Sequence, residues 1–238
     1  MSTWIARRAA VLREFVSWRG VFIVGLLTFR EIFRPLFYWH LWHIFETDIS
    51  KQVPQPYGKD AVEVKFFAEG RPATIVKQIS AMGELEAAEV ERRFARGDSI
   101  AVGWVEEQPA GYMWMSVSNA FELAFDTFWI IRAGEAVRYG SFVAPAFRGR
   151  GIHSSLNSAV NSCLRQRGIN KTLGAVSLLN PQSLSLPRHY QRAVAMTVFV
   201  VRFRGLHWTV RRSFGAPLES RFSWAADHSE AKSEPKSS

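Results

Sequence analysis

Residues 143–156 read VAPAFRGRGIHSSL. Arg148, Gly149, Arg150 and Gly151 stand between the apolar run AVRYGSFVAP, which has strand character, and a segment from Ile152 to Gly168 with helical spacing. Two glycines weaken either element, so this junction needs main chain without side chains over it. A strand-to-helix junction supplies a reason. The first turn of a helix offers unpaired N–H groups and the positive end of its dipole, which together favour a phosphate or pyrophosphate. Gly149 and Gly151 admit an anion to the backbone, Arg148 and Arg150 add charge-assisted hydrogen bonds, and Ser154 and Ser155 follow within reach.

The rest of the composition allows that reading. A chain of 238 residues holds one large domain, or one domain and an appendage. With 47% hydrophobic residues, nine Trp and 18 Phe, it is too apolar for a disordered chain and too interrupted by charge for a polytopic membrane protein. A net charge of +9 favours a polyanionic partner: a phosphorylated cofactor, nucleic acid or anionic lipid. Cys163 is the single cysteine, which excludes an internal disulfide and a cysteine-built zinc site and suits a reducing compartment. Its place in an amphipathic segment reads as structural.

The segment Phe15–Phe45 carries ten aromatics in 31 residues, with apolar positions 15, 18, 22, 26, 29, 33 and 37 stepping by three or four. That spacing predicts a helical arm, ended or kinked at Pro35. Arg19, Arg30, Glu31 and Arg34 cut it into uncharged runs of ten and eleven residues, short of the ~20 that a transmembrane helix needs. Nor does it make a good signal peptide, since Glu14 precedes the apolar core and no small-residue cleavage site follows. The arm either packs on a domain or a second copy in a homodimer, or lies in the plane of an anionic membrane surface. His40 and His43 share a helical face without a third ligand, so no metal is expected.

Pro54, Pro56 and Gly58 mark a linker. The reading is thus a helical arm over 1–50, a linker over 51–60, a folded domain over 61–226 and a polar tail over 227–238. Within the domain, AVEVKFFA reads as a strand, ATIVKQIS as a helix or turn, and ELEAAEVERRFARGD as a helix stopped by Gly97. SIAVGWVEE and AGYMWMSVS form a hairpin around Gln108–Pro109, while FELAFDTFWIIRAG is less legible. NKTLGAVSLL is a strand, NPQSLSLPRHYQRA a loop with a short helix, and AMTVFVVRF and LHWTVRR are closing strands. Strands that are first antiparallel and then alternate with helices indicate a mixed α/β sheet. A dinucleotide fold is excluded because the glycine run comes late and no acid follows ~20 residues on; a P-loop is excluded because no Gly-Lys-Ser/Thr ends the run.

The order of strand, Val-x-Pro, x-x-Arg-Gly-x-Gly and helix resembles the acyl-CoA-binding motif of the GNAT N-acetyltransferase superfamily. Arg148, Gly149, Arg150, Gly151, Ile152 and His153 take the motif positions, with His153 standing where a small residue is usual. The resemblance implies an α/β (α+β) fold with a mixed, mostly antiparallel central sheet and flanking helices. It also implies direct transfer of an acyl group from acetyl-CoA or another acyl-CoA to an amine of a small molecule or envelope precursor. In that reading the amides of residues 149–154 hold the pyrophosphate, and the strand edge at Ser141, Phe142 and Val143 pairs with the pantetheine arm. Asn180 and Ser183 match a downstream Asn and Ser or Ala. Tyr190, about three residues late, is the candidate general acid. Glu135 is the first candidate for the base, with Glu122 and Asp126 behind it.

Arg188 to Arg212 carries six arginines and no acid. It reads as a solvated basic face, or as a surface facing an anionic membrane on the cytoplasmic side. Nucleic acid is disfavoured, since no RNA-binding aromatic signature or helix-turn-helix pattern appears. Two other functions stay open: a non-catalytic acyl-CoA-binding sensor or adaptor, and a basic membrane- or nucleic-acid-binding protein.

Overall fold

The computed structural model describes residues 25–26, 28–29, 32–33, 37–50, 62–68, 73–124, 127–180, 183, 194–203, 206–213 and 222–224. The chain falls into two units: residues 1–44 with 176–219, and residues 45–175 with 220–238. The expected linker at 51–60 and the tail at 227–238 lie outside the described residues.

In the first unit, residues 25–26, 28–29 and 32 are helical, and Phe33 donates its amide to the Phe29 carbonyl. The helical expectation fails beyond them: β1 (Phe37–Asp48) is a strand, and it crosses into the second unit at Phe45. An aromatic-rich stretch that is apolar on all sides fits a helical stripe and a pleated strand equally, and the β propensity of Phe, Tyr and Trp decides. His40 and His43, expected on one helical face, therefore sit at alternating strand positions. His43 Nδ1 lies 2.9 Å from Thr197 Oγ1, and burial holds its pKa below the ordinary value.

The second unit builds its sheet in the order β8-β7-β4-β3-β2. Its elements are β2 (Glu63–Phe67), α1 (Ala73–Ala81), α2 (Ala87–Ala95), β3 (Ser99–Val105), β4 (Gln108–Ser116), β5 (Ala120–Ala124), β6 (Thr127–Ile130), β7 (Glu135–Val143), α3 (Ile152–Gln166) and β8 (Lys171–Ser177), which leaves the unit after Ala175. β2, β3, β4 and β7 pair antiparallel in turn, and β7 pairs parallel with β8. In the first unit β9 (Val194–Phe203) and β10 (Leu206–Ser213) form an antiparallel hairpin. The stretch 121–134, less legible in the sequence, holds most of β5 and all of β6, which with β11 (Phe222–Trp224) make a separate three-stranded sheet.

Both faces of the main sheet are covered. Ile100, Val102, Tyr112 and Trp114 face α1 and α2 with Ile75, Ile79, Val90 and Phe94. Ala101, Val105, Met113 and Met115 face α3, where Ile152, Leu156, Val160 and Leu164 repeat every fourth residue. Burying each large aliphatic side chain contributes about 1.5–3 kcal/mol. The β3–β4 hairpin turns at Glu106 and Glu107, both at positive φ (49° and 65°), not at the expected Gln108–Pro109, which open β4. On the α3 face, Gly103 pairs with Gly111, and both approach Ile152. Two missing side chains let the start of α3 sit close on the sheet.

Candidate functional site

β7 changes character along its length. Its first three residues pair with β8, from Glu135↔Lys171 to Val137↔Leu173, and the ladder stops there. On its other side β7 pairs with β4, but Tyr112↔Phe142 and Trp114↔Tyr139 leave Gly140 and Ser141 together opposite Met113. That is a bulge, and Gly140 at φ +52° supplies the left-handed residue that such a bulge uses. The extra residue switches the alternation. Tyr139 and Phe142 face the α1–α2 side, while Val143 turns to the α3 side. Among the described residues the β7–β8 ladder goes no further than Val137, and Ser141, Phe142 and Val143 lie beyond it.

A 3-10 turn over Pro145–Phe147 leads from β7 to the glycine run. Gly149 has φ +77° with open space where a Cβ would be, and Gly151 caps α3 at φ 83°, ψ 6°. A glycine N-cap brings no side-chain oxygen to the first turn, and α3 has no acidic residue there either. Ser155 N donates to the Gly151 carbonyl at 3.0 Å, but among the described residues the amides of Gly149, Gly151, Ile152 and Ser154 meet no main-chain acceptor. An uncapped helix start with this conformation attracts an anion.

The cationic side chains flank it. Arg148 is exposed, its Nε 3.4 Å from the Val143 carbonyl, and Arg150 stacks on the Phe147 ring at 5.3 Å. His153 is the second residue of α3 and half-buried; Ile152 is buried in the core. Ser155, expected within reach of the anion, is fully buried instead.

The catalytic candidates are less concentrated. Glu135 is buried at the closed end of the β7–β8 ladder, where its Oε2 accepts the Arg132 amide at 3.1 Å. It stands eight residues before Val143, about 26 Å of extended strand from the end of β7 that leads to the glycine run. Glu122 is exposed on β5. Asp126 and Tyr190 lie outside the described residues. In the first unit, Ser183 N donates to Asn180 Oδ1 at 3.0 Å, a bond that uses the Asn side chain but not the serine hydroxyl.

Sequence reasoning missed the groups on the α1–α2 side of β7. Tyr139 donates to Asp98 Oδ2 at 2.6 Å, and Arg96 donates to the same oxygen through Nε and Nη2 at 2.8 and 2.5 Å. Asp98 is fully buried. Burial first, then the negative charge and hydrogen bond of Asp98, push the Tyr139 pKa far above its ordinary value, so it stays a hydroxyl donor. Only the Gly97-Asp98 stop after α2 was visible as a signal, and it read as a cap.

This arrangement matches a known architecture. A tandem GNAT protein from the clavulanic acid biosynthesis pathway superposes with a TM-score of 0.51 at 14% identity, over 70% of this chain and 54% of that one. The chain has the GNAT fold. It spans about half the length of that tandem protein. Looser likenesses include a functionally unknown conserved protein from Staphylococcus epidermidis ATCC 12228, with TM-score 0.49, 10% identity and 76% and 68% coverage of the two chains. Another is AAC(6')-Iy in complex with a CoA bisubstrate analog, with TM-score 0.43, 15% identity and 55% and 89% coverage. No protein-family model matches the sequence, and no curated protein matches it. Within the GNAT fold of this chain, the motif Arg148–His153 forms the turn into α3 and the start of that helix, beside the unladdered stretch of β7.

Proposed function

We propose that this chain is an acyl-CoA-dependent N-acyltransferase that moves an acyl group, acetyl or longer, from CoA directly to an amine. One observation carries the reading: the amides of Gly149, Gly151, Ile152 and Ser154, without main-chain acceptors among the described residues, stand beside the stretch of β7 past its last described pair with β8. The residues present fit a diphosphate. Gly149 leaves open space, no carboxylate enters the first turn of α3, and Arg148 and Arg150 bring two positive charges. Ser141, Phe142 and Val143 offer main-chain groups to the pantetheine arm, and Arg148 to Ser154 hold the phosphates. Asn180 and Ser183 join this set through the sequence resemblance. The thioester supplies the acyl group; the chain's task is to orient it and to manage two protons. Tyr190 is proposed to protonate the leaving thiolate, again on resemblance.

Thermal stabilisation by CoA and acetyl-CoA tests the binding half, since a ligand bound by the native state alone raises the melting point. Release of free thiol with a panel of amines tests the transfer half. No stabilisation by either thioester or CoA defeats the proposal. The occupied carboxylate of Glu135 favours one other reading, a sensor that binds acyl-CoA and transfers nothing. Tight CoA binding without thiol release across the panel selects it.

We also propose a peripheral position at an anionic membrane on the cytoplasmic face. Phe29, Ile32 and Phe33 are 47, 65 and 42% exposed, and the chain carries nine net positive charges. Among the described residues no helix is long and apolar enough to cross a bilayer. Flotation with phosphatidylglycerol vesicles should be lost on changing all three residues to Ser; unchanged flotation, or none by the wild type, defeats it.

A further inference from the structure

Two arginines on the α1–α2 side of β7 are gathered on one ring. The guanidinium carbons of Arg93 and Arg96 lie 5.0 and 5.8 Å from the Tyr139 centroid, and they also cover Trp114 at 5.3 Å and Phe121 at 5.4 Å. Two like charges on one ring repel, and their carboxylates are partly spent. Glu89 takes Arg93 Nε at 2.8 Å and also pairs with Arg92, while Asp98 takes Arg96 through a single oxygen. Arg96 Nη2 further reaches the Tyr139 hydroxyl at 2.9 Å. Three nitrogens remain without an acceptor among the described residues: Nη1 and Nη2 of Arg93, and Nη1 of Arg96. Arg93 Nη1 is buried and packs against Gly140, where a Cβ would lie 2.6 Å from it.

The position of this cluster matters. Tyr139 is two residues past the last β7–β8 pair and directly before the bulge, on the face opposite α3. The anion-binding turn lies on the α3 side. A thioester held from the α3 side would leave the arginine face to a second reactant. Arg93 Nη1, buried without an acceptor among the described residues, calls for an explanation, while Arg96 keeps a third of its side chain exposed, and bidentate binding of a carboxylate or phosphate is what a guanidinium does best.

Resting on the acyltransferase reading, we propose that the acceptor is an amine that also carries a carboxylate or phosphate, held by Arg96 with the charge of Arg93 behind it. A polycationic amine is repelled by the same pair.

The test uses three amines of similar reach, 4-aminobutyrate, 3-aminopropyl phosphate and butylamine, and the longer polycation spermidine. Each is titrated by calorimetry into the full chain, with and without saturating CoA. We expect at least one of the anionic amines to bind about tenfold or more tightly than butylamine, with spermidine silent, and Arg96→Gln to remove most of that preference. Arg96→Lys should restore part of it. Arg93→Gln, which leaves Asp98 paired, provides a second variant, and added salt should narrow the preference in the wild type. Binding of butylamine or spermidine as tight as that of the anionic amines, a preference untouched by both substitutions, or binding by none of the four overturns the inference. Stronger binding of the carboxylate or of the phosphate tells the two sources apart. Failure of CoA to bind defeats the transferase reading instead, and the titrations without CoA still decide the anion site.

Discussion

Gly111 on β4 and Val143 at the end of β7 approach so closely that a Cβ on Gly111 would lie 3.2 Å from the Val143 Cα and 2.6 Å from the Phe142 carbonyl oxygen. Those are backbone atoms of the edge proposed to take the pantetheine arm, and they cannot turn aside. Gly111→Ala should therefore displace the end of β7, cost about 1–3 kcal/mol and weaken CoA binding. Gly103→Ala is the control, because its Cβ would meet only side chains of Val62, Ile152 and Leu156 at 3.3–3.5 Å. Chemical denaturation should separate the two; equal costs would mean that the close approach is not what demands glycine.

The turn into α3 makes a second comparison possible. Gly151 sits at φ 83°, so Ala there should cost about 1–2 kcal/mol through strain alone. Arg150→Glu strains nothing but reverses a charge beside the uncapped amides. If an anion binds there, Arg150→Glu should lower CoA affinity about tenfold or more at low salt, with little change in melting temperature. An unchanged affinity would remove the glycine run from the phosphate site.

The β3–β4 hairpin stores strain that can be released. Two-residue turns of this kind want positive φ at both central residues, and Asn-Gly meets that need where Glu106 and Glu107 do not. Glu106→Asn with Glu107→Gly should stabilise the protein by about 1–2 kcal/mol, read by urea denaturation. No gain would mean that these glutamates make compensating contacts.

That hairpin also shows why parts of the fold were legible and others were not. The strand, glycine run and helix of Val143–Leu156 carry their reasons locally, in φ requirements and unpaired amides, so sequence alone placed them. The Glu106–Glu107 turn lacks its usual residues, and Gln108–Pro109 looked more like a turn. β1 misled for a different reason: Phe37–Phe45 is apolar on every face, so no period discriminates. The Arg93, Arg96, Asp98 and Tyr139 cluster joins residues more than 40 positions apart. Only the pairing of β4 with β7 and the packing of α2 bring them together.

Tyr139 makes that cluster visible to pH. Its hydroxyl pKa is raised in the folded protein, by burial and then by Asp98, above the ordinary value of about 10. The native state then holds a proton that the unfolded chain releases, so this contribution is complete below pH ~10 and is lost as pH climbs from there toward the folded value. Tyr139→Phe should lower stability at pH 7 by about 1–2 kcal/mol, through the lost hydrogen bond to Asp98, and flatten the alkaline fall. Denaturation curves at pH 7 and near pH 11 check both. An alkaline fall as steep in Tyr139→Phe as in the wild type would show that another group sets it.

Glu135 separates a structural carboxylate from a catalytic one. Its Oε2 accepts the Arg132 amide while its own amide donates to the Arg132 carbonyl at 3.1 Å, so the side chain closes the turn that starts β7. Gln keeps an oxygen in the same place; Ala does not. With the role that the turn implies, Glu135→Ala costs about 0.5–2 kcal/mol of stability and Glu135→Gln costs less, while thiol release by Glu135→Gln keeps its rate and pH profile. A general base behaves otherwise, because an amide cannot take the acceptor's proton. Loss of about a hundredfold or more in the Gln variant, with its melting temperature intact, would return Glu135 to the chemistry and require the acceptor to reach the closed end of the β7–β8 ladder.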